Sequence, residues 1–341
     1  MPTCPVCGEP AAAEDAFCEH CGHPLRRTGG AAQSVAGAAV EAPAPCARCG
    51  ARLTEGACTG CGLRRRPGDH TELRLTAAAG VSDRGLRHER NADAMAVRSA
   101  DAPGAGALPA GPVTAAVVCD GVSSSPRPDS AAAAAAESGA AVLATSLESG
   151  QGTAESLSAA LRRAAGAVAV LAESPVRAPA CTFVGAAVPA AGGPLAVAWV
   201  GDSRAYWIGH GRPAAPSALL TRDDSWSEAM VAMNVLDPQE AAAAPQAHAL
   251  TAWLGADYGG AAGRVAAFDP GGAGRLLLCS DGVWNHLPEP AGLAGLVRGA
   301  GADPLAAARA CVRYALERGG HDNSTAVVID VPAPATGKEA R

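Results

Sequence analysis

The chain has 341 residues, a length typical of about two domains. Hydrophobic residues make up 48% and charged residues 18%, which excludes a disordered or fibrous chain. With 27 basic and 33 acidic side chains the net charge is −6, so nucleic-acid binding by the whole chain is not expected. No apolar run approaches the roughly 18 residues of a membrane span, and the first residues lack a secretory-signal pattern. These features predict a cytoplasmic protein.

Eight of the twelve cysteines form four Cys-x2-Cys pairs near the start of the chain. They are Cys4, Cys7, Cys18, Cys21, Cys46, Cys49, Cys58 and Cys61. Two successive pairs supply four thiolates, the ligand set of a structural zinc site, and the glycine after each pair allows a tight turn. Residues 1–66 therefore resemble a double zinc ribbon, with ribbons at 4–24 and 46–63 that need two Zn²⁺ ions to fold. Redox-active pairs or disulfides are the alternative, but no oxidising compartment or βαβ context is indicated.

The segment between the two ribbons is predicted to be flexible. Residues 28–45 are rich in Ala, Gly and Pro, a composition typical of a linker. Three arginines at 64–66 mark the boundary with a large domain predicted over 72–332. The arginines are interpreted either as a solvated linker or as a contact for a partner or nucleic acid. Residues 333–341 are predicted to be a disordered tail.

In the large domain, short apolar runs bounded by Gly or Pro predict β-strands, and alanine-rich segments predict helices. The predicted strands are Leu73–Ala79, Ala94–Arg98, Val113–Cys119, Thr182–Val188, Leu195–Val200, Ala205–Ile208, Arg264–Phe268, Arg275–Cys279 and Thr325–Val331. The predicted helices are Ser130–Leu147, Ala154–Ala172 and a third that begins after Asp303 and ends at Gly319. Several strands precede each pair of helices, which favours sheets covered by helices. The four remaining cysteines are predicted core residues.

Four aspartates lie at the ends of apolar strands. Asp120, Asp202 and Asp281 follow predicted strands, and Asp322 precedes the last one. A single Asp-Gly pair is usually an ordinary turn. Four clustered carboxylates, however, would repel one another unless a cation neutralised them, and hard oxygen ligands suit Mg²⁺ or Mn²⁺ better than zinc. The pattern therefore indicates a metal site distinct from the cysteines.

Residues from about 72 to 332 resemble the protein phosphatase 2C family of metal-dependent Ser/Thr phosphatases. The matching stretches, in the family order, are SDRGLRHERNADAM, VVCDGVSSS, CTFVGAAV, WVGDSRAYWI, LTRDDSW, LLLCSDGVWNHL and GGHDNSTAVVID. Individually these motifs are weak, but together they are specific. The resemblance implies an α+β fold, a four-layer αββα sandwich with two central antiparallel sheets, preceded here by the two small zinc ribbons.

The resemblance also implies roles for the acids. Asp120 would bridge two Mn²⁺ or Mg²⁺ ions, the Gly121 carbonyl would bind one of them, and Asp281 and Asp322 would complete the second. Asp202 matches a position that helps to hold a third, weaker metal. Two such ions lower the pKa of a bridging water, so that hydroxide attacks phosphorus directly without a phosphoenzyme.

The chain departs from the family pattern at three positions. Asp93 would contact a metal through water, but the acid that usually precedes it is replaced by Ala92, a loss expected to weaken a metal or slow turnover by about one to two orders of magnitude. His88 falls where the family has its phosphate-binding arginine, and is either a phosphate contact or an ordinary loop histidine. Val122 replaces a histidine that eukaryotic members use as a proton donor, so water would have to protonate the leaving group.

Three functions are compatible with these features. The first is a protein Ser/Thr phosphatase that acts on phosphoprotein substrates of Ser/Thr kinases, with the ribbons recruiting a protein partner or regulating the enzyme. The second is a catalytically weak or inactive phosphatase fold that binds and regulates, which Ala92 and His88 favour. The third and weakest makes the ribbons a nucleic-acid module. No membrane association is expected.

Overall fold

The computed structural model describes residues 10, 35–36, 38–39, 45–104, 110–210, 216–257 and 263–334. Its strands are β1 Val35–Ala36, β2 Ala38–Ala39, β3 Leu53–Thr54, β4 Ala57–Cys58, β5 His70–Arg74, β6 Ala78–Asp83, β7 Asp93–Ala102, β8 Gly111–Asp120, β9 Ala180–Cys181, β10 Phe183–Pro189, β11 Leu195–Val200, β12 Arg204–Gly209, β13 Ser217–Leu219, β14 Leu254–Gly255, β15 Arg264–Phe268, β16 Gly274–Cys279 and β17 Ser324–Val331. Its helices are α1 Pro128–Glu148, α2 Thr153–Ala169, α3 Trp226–Ala232, α4 Pro238–Ala243, α5 Asp281–Trp284, α6 Pro290–Gly299 and α7 Pro304–Glu317, with a 3₁₀ turn at Pro175–Arg177.

Most strands belong to two antiparallel sheets. The first has the order β1-β7-β8-β10-β11-β15 and the second the order β13-β12-β16-β17-β6-β5-β2. Two small ladders, β3–β4 and β9–β14, lie outside them. The central strands are buried along nearly their whole length, which explains why they read as continuous apolar runs rather than as alternating ones.

Three layers of buried side chains hold the sheets and helices together. One layer packs α1 and α2 on the first sheet, a second fills the space between the two sheets, and a third packs α5, α6 and α7 on the second sheet. In α1, six of the nine buried residues are alanine, so the helix can lie close to the sheet. The predicted four-layer αββα sandwich is confirmed.

Most predicted elements are confirmed, but the strand predicted over Leu73–Ala79 is wrong. The chain reverses there: β5 ends at Arg74, β6 begins at Ala78, and the Leu75 amide donates a hydrogen bond to the Ala78 carbonyl at 2.8 Å. The turn consists of Leu75, Thr76 and Ala77, so no Gly, Pro, Asn or Asp marked it. Helix α6 was not predicted, because its glycines obscure the helical pattern.

Short strands from the predicted linker extend one edge of each sheet. The backbone at 35–36 and at 38–39, within the predicted linker, pairs with β7 and β5 and so extends an edge of each sheet. Unpaired sheet edges readily accept such an added strand.

Throughout the described ranges, no helix combines the length and the apolar character needed to cross a membrane.

Candidate functional site

The predicted acids meet at one edge of the sandwich. Strands β8 and β11 are both antiparallel to β10, so Asp120 at the end of β8 and Asp202 after β11 lie at the same edge. In the second sheet, Asp281 follows β16 and Asp322 precedes its antiparallel partner β17. These four aspartates and Gly121 line one cavity of about 870 Å³. Residues that are distant in sequence are thus brought to a single site.

Asp93 lies behind this cavity rather than in its lining. It stands opposite Asp120 in the β7–β8 ladder and is buried. One of its oxygens, Oδ2, accepts hydrogen bonds from the Ser280 and Thr325 hydroxyls, each at 2.7 Å. Its other oxygen, Oδ1, is buried and has no hydrogen-bond partner among the residues described. The Oδ1 atom of Asp281 is in the same condition.

The carboxylates raise one another's pKa values. Loss of hydration, followed by repulsion from Asp281 and Asp322, raises the pKa of Asp93 to about 7. The same two causes raise the pKa of Asp281 to about 6, with Asp322 as the main repelling charge. The pKa values of Asp120 and Asp202 are also well above the ordinary range because both are removed from water. An oxygen-only cluster with unpartnered buried oxygens fits divalent cations such as Mn²⁺ or Mg²⁺.

These shifts predict an unusual dependence of stability on pH in the absence of bound cations. A carboxyl group whose folded pKa is raised stabilises the fold at low pH and ceases to do so as pH rises through the folded value. Protein freed of Mn²⁺ and Mg²⁺ by gel filtration should therefore lose on the order of 3 kcal/mol of unfolding free energy between pH 5 and pH 8. Urea unfolding at several pH values measures this.

Manganese provides the comparison for the pH experiment. Ionised carboxylates bind the cation, so added Mn²⁺ should stabilise the protein strongly at pH 8 and little at pH 5. A cation-free protein that becomes more stable as pH rises over this range would contradict the inferred repulsion.

Asn323 locks the loops around the acids, a role that the sequence pattern did not reveal. Its side-chain amide donates to the carbonyls of Arg84 and Arg90 at 2.7 and 3.0 Å, and its Oδ1 accepts from the Ala92 amide at 2.7 Å. Gly85, at φ +76°, lies so close that a β-carbon there would be 2.2 Å from the Asp322 carbonyl oxygen. The loop over 84–92 and the loop before β17 therefore form one interlocked unit.

The family model for protein phosphatase 2C matches residues 87–310, which include Gly121 and four of the five predicted metal-binding acids; the fifth, Asp322, lies beyond that range. The chain belongs to the protein phosphatase 2C family. A comparison with curated proteins gives no match.

Solved structures of this phosphatase family have the same fold. The PPM Ser-Thr phosphatase MsPP from Mycobacterium smegmatis, in complex with cacodylate, is 29% identical with a TM-score of 0.57, over 75% of this chain and 99% of that chain. The catalytic domain of PstP in complex with two manganese ions is 23% identical, with a TM-score of 0.56 over 75% and 97% of the two chains. Stp1 from Staphylococcus aureus is 20% identical, with a TM-score of 0.59 over 76% and 96%. The last two likenesses support the fold alone.

The structure places the three departures from the family pattern in different surroundings. Ala92 carries no acid toward the cluster, and its backbone instead joins Asn323 to Gly121, whose amide donates to the Ala92 carbonyl at 3.1 Å. His88 does not line the acidic cavity. Its Nε2 lies 3.1 Å from Asp322 Oδ1, and the residue lines a separate cavity. Val122 does line the cavity, where its methyl groups neither donate nor accept a proton.

His248 is a cavity residue that the sequence analysis missed. It lines the same cavity as Val122 and Asp281, although 126 positions separate it from Val122. The loop that carries it is fixed, because the Ala249 carbonyl accepts from the Trp226 amide at 2.8 Å. The imidazole is exposed, and its ring centroid lies 6.1 Å from that of Trp284. An isolated histidine in an alanine-rich segment was the only signal available.

A second feature holds Asp202 in place. The Trp284 indole N–H donates to the Asp202 carbonyl at 2.9 Å, and the Arg204 guanidinium lies 3.4 Å from the Trp284 ring centroid. Arg204 also donates to both carboxylate oxygens of Asp223, at 2.7 to 3.2 Å. The Arg204 side chain is therefore a positioning group, and its charge is already neutralised by Asp223.

The second set of cysteines forms a compact cluster. The sulfurs of Cys46, Cys49, Cys58 and Cys61 all lie within 4.8 Å of one another, and no other group in the described ranges meets that criterion. The amides of Cys61 and Gly60 point at the Cys58 sulfur and, despite burial, lower the pKa of its thiol to about 6. Such a cluster is compatible with a four-thiolate zinc site. The first set, Cys4, Cys7, Cys18 and Cys21, lies outside the described residues.

The four other cysteines are buried and unpaired, as the sequence analysis predicted. Cys119 and Cys279 immediately precede two of the site's aspartates, Asp120 and Asp281. Burial raises the pKa values of both thiols well above the ordinary range. They therefore have no nucleophilic character and belong to the core.

Proposed function

We propose that the chain is a metal-dependent protein Ser/Thr phosphatase that hydrolyses phosphoserine or phosphothreonine on proteins. The observation that carries the proposal is the convergence of four aspartates on one cavity, backed by Asp93, with buried carboxylate oxygens of Asp93 and Asp281 that have no hydrogen-bond partner among the described residues. A cleft of this kind needs cations to be neutral, and a phosphoryl group is the substrate that such cations favour. Phosphoproteins made by Ser/Thr kinases are the proposed substrates.

The proposed ligands of the Mn²⁺ or Mg²⁺ ions come from both sheets. Asp120 and the Gly121 carbonyl are proposed to bind from the first sheet, and Asp281 and Asp322 from the second, while Asp202 supports a third position. Bound Mn²⁺ or Mg²⁺ would lower the pKa of water for direct attack on phosphorus and neutralise the phosphoryl oxygens. PstP, whose structure contains two manganese ions, supports the choice of metal.

Two histidines, His88 and His248, are proposed to contact the substrate. His88, next to Asp322, lies at the rim, where an imidazolium can bind a phosphoryl oxygen. His248, in the cavity wall, is placed to give a proton to the oxygen of the leaving serine or threonine. It would take over the role that Val122 cannot fill.

A phosphate-release assay tests the proposal. Full-length protein is incubated with a phosphothreonine peptide and with p-nitrophenyl phosphate, with Mn²⁺, Mg²⁺ or neither. Turnover that requires Mn²⁺ or Mg²⁺ supports the proposal, and no turnover of either substrate at saturating Mn²⁺ refutes it.

A second candidate function is a binding protein that retains the fold without turnover. Ala92 favours it, because the acid expected there would order water beside Asp93. The variant Ala92→Glu separates the two candidates. If the chain is a binding protein, the variant gains an activity that the wild type lacks; if it is a phosphatase, an existing activity rises by about one to two orders of magnitude.

We propose that each ribbon holds one structural Zn²⁺, which gives a prediction for metal content. Wild-type protein should contain about two zinc ions per chain, and Cys58→Ser should contain about one because its second ribbon loses a ligand. Elemental analysis after gel filtration measures the ratio. The control is Cys311→Ser, which alters a buried core thiol and should keep about two. Equal zinc contents in wild type and Cys58→Ser would contradict the assignment.

A further inference from the structure

The second ribbon and the arginines that follow it form a positively charged lobe, residues 45–68, on a negatively charged protein. Residues 45–68 contain five arginines and one glutamate, a net charge of +4, whereas the whole chain has a net charge of −6. A four-thiolate zinc centre would carry about −2, which leaves the lobe positive. The loop over 84–90, which leads to the acidic cavity, contains three arginines and one glutamate. Both segments are therefore basic.

A cavity of about 690 Å³ separates these two segments. On one side it is lined by the run of arginines at 64–66, and on the other by Arg84, Arg87 and His88. Three acids, Glu55, Asp69 and Glu89, also contribute to its walls. We call this cavity the arginine groove. Its His88 end reaches Asp322, so the groove leads directly to the edge of the proposed metal site.

Two of the groove's arginines fix its shape. Arg65 forms an ion pair with the buried Asp83, and Arg84 pairs with Asp69 at 3.1 Å. Asp83 also accepts a hydrogen bond from the Gly85 amide at 3.0 Å, which ties the ribbon to the loop that carries His88. The groove is thus preformed, and these two charges are already compensated.

The other arginines are available to a ligand. Arg64 and Arg66 are exposed and have no carboxylate partner in the part of the chain that the structure describes. Arg87 is exposed as well, and its guanidinium contacts the His321 ring at 3.4 Å. Free guanidinium groups in a concave site bind carboxylates and phosphates in a bidentate manner.

We propose that the arginine groove binds an anionic segment of the substrate, namely acidic or additionally phosphorylated residues that flank the phosphoresidue in the active site. The inference rests on the proposed phosphatase function and assigns its substrate class. A peptide whose phosphoryl group lies at the acidic cavity has its neighbouring residues next to His88 and the groove. The ribbon then selects substrates, and the three arginines at 64–66 are part of that surface rather than a solvated linker.

The test compares two phosphothreonine peptides with full-length protein. One has aspartates and glutamates on both sides of the phosphothreonine, and the other has glutamines and alanines. Wild type should have a kcat/KM about tenfold higher for the acidic peptide, mostly through KM, and the preference should shrink as salt is raised. In the double variant Arg64→Gln/Arg66→Gln the preference should fall to about twofold, with p-nitrophenyl phosphate turnover unchanged.

The matched control is Arg48→Gln/Arg52→Gln, which removes two exposed arginines from the same positively charged lobe but outside the groove. It should keep the preference. Equal kcat/KM values of wild type for the two peptides would overturn the proposal, as would equal losses in the two double variants.

Fluorescence anisotropy of the labelled acidic peptide measures binding to the arginine groove directly, so the groove can be tested even without turnover. If no substrate is turned over, the phosphatase proposal fails, yet weaker peptide binding by Arg64→Gln/Arg66→Gln alone would still support the groove. Competition by single-stranded nucleic acid that is stronger than competition by the acidic peptide would overturn it in favour of a nucleic-acid site.

Discussion

Replacing Asp281 with asparagine is expected to lower kcat/KM for a phosphothreonine peptide by about 10³-fold, since a lost metal ligand removes several kcal/mol of charge stabilisation. The change keeps the volume of the side chain and removes one negative charge from a cluster that repels itself. The metal-free variant should therefore be at least as stable to urea as the wild type. A loss of activity without a loss of stability separates a functional acid from a structural one.

The control for this experiment is Asp257→Asn. Asp257 lines the same cavity but is exposed, and it accepts a hydrogen bond from the Trp253 indole N–H at 3.0 Å. Its variant should keep activity within about threefold, because an exposed charge contributes little. If Asp281→Asn retained most of the wild-type activity, or if Mn²⁺ stabilised it as much as the wild type, the assignment of Asp281 as a metal ligand would be wrong.

The acids of the site were predictable because the signal for each was local. A buried strand reads as an apolar run, and a charged residue at its end stands out against that run, as Asp120 does after β8 and Asp281 after β16. The family order of the motifs then placed the acids in one site. The strand and helix patterns alone favoured sheets covered by helices, and the family resemblance then implied the four-layer arrangement.

Features that depend on contacts between distant segments were not predictable. The turn between β5 and β6 contains none of the residues that usually mark a turn, so the sequence indicated one strand where there are two. Asn323 binds three backbone positions of the 84–92 loop through its side chain, a role that neither composition nor periodicity reveals. The arginine groove exists only because the ribbon packs beside the loop that carries His88, and the run of arginines alone gave no reason to choose between a linker and a binding surface.

His248→Gln is expected to lower kcat for a phosphothreonine peptide by about 10²-fold, the usual contribution of a general acid. The threonine alkoxide is a strong base and needs a proton to leave, whereas p-nitrophenolate is a weak base and leaves without one. Turnover of p-nitrophenyl phosphate should consequently change by less than about threefold in the same variant. The ratio of the two losses, measured with Mn²⁺ at saturation, is the decisive quantity.

The control for His248→Gln is a histidine outside the cavity, which tests whether the unequal loss of activity on the two substrates requires a cavity residue. His286 lies near the same loops, with its ring centroid 6.0 Å from that of His321, but it does not line the acidic cavity, so His286→Gln should leave the ratio unchanged. Equal losses on both substrates in His248→Gln would mean that the residue only positions the loop beside Trp284. Water would then remain the proton donor, as the valine at position 122 suggested from the sequence. An unequal loss would instead show that a histidine from a different segment restores the proton that the family's usual position cannot give.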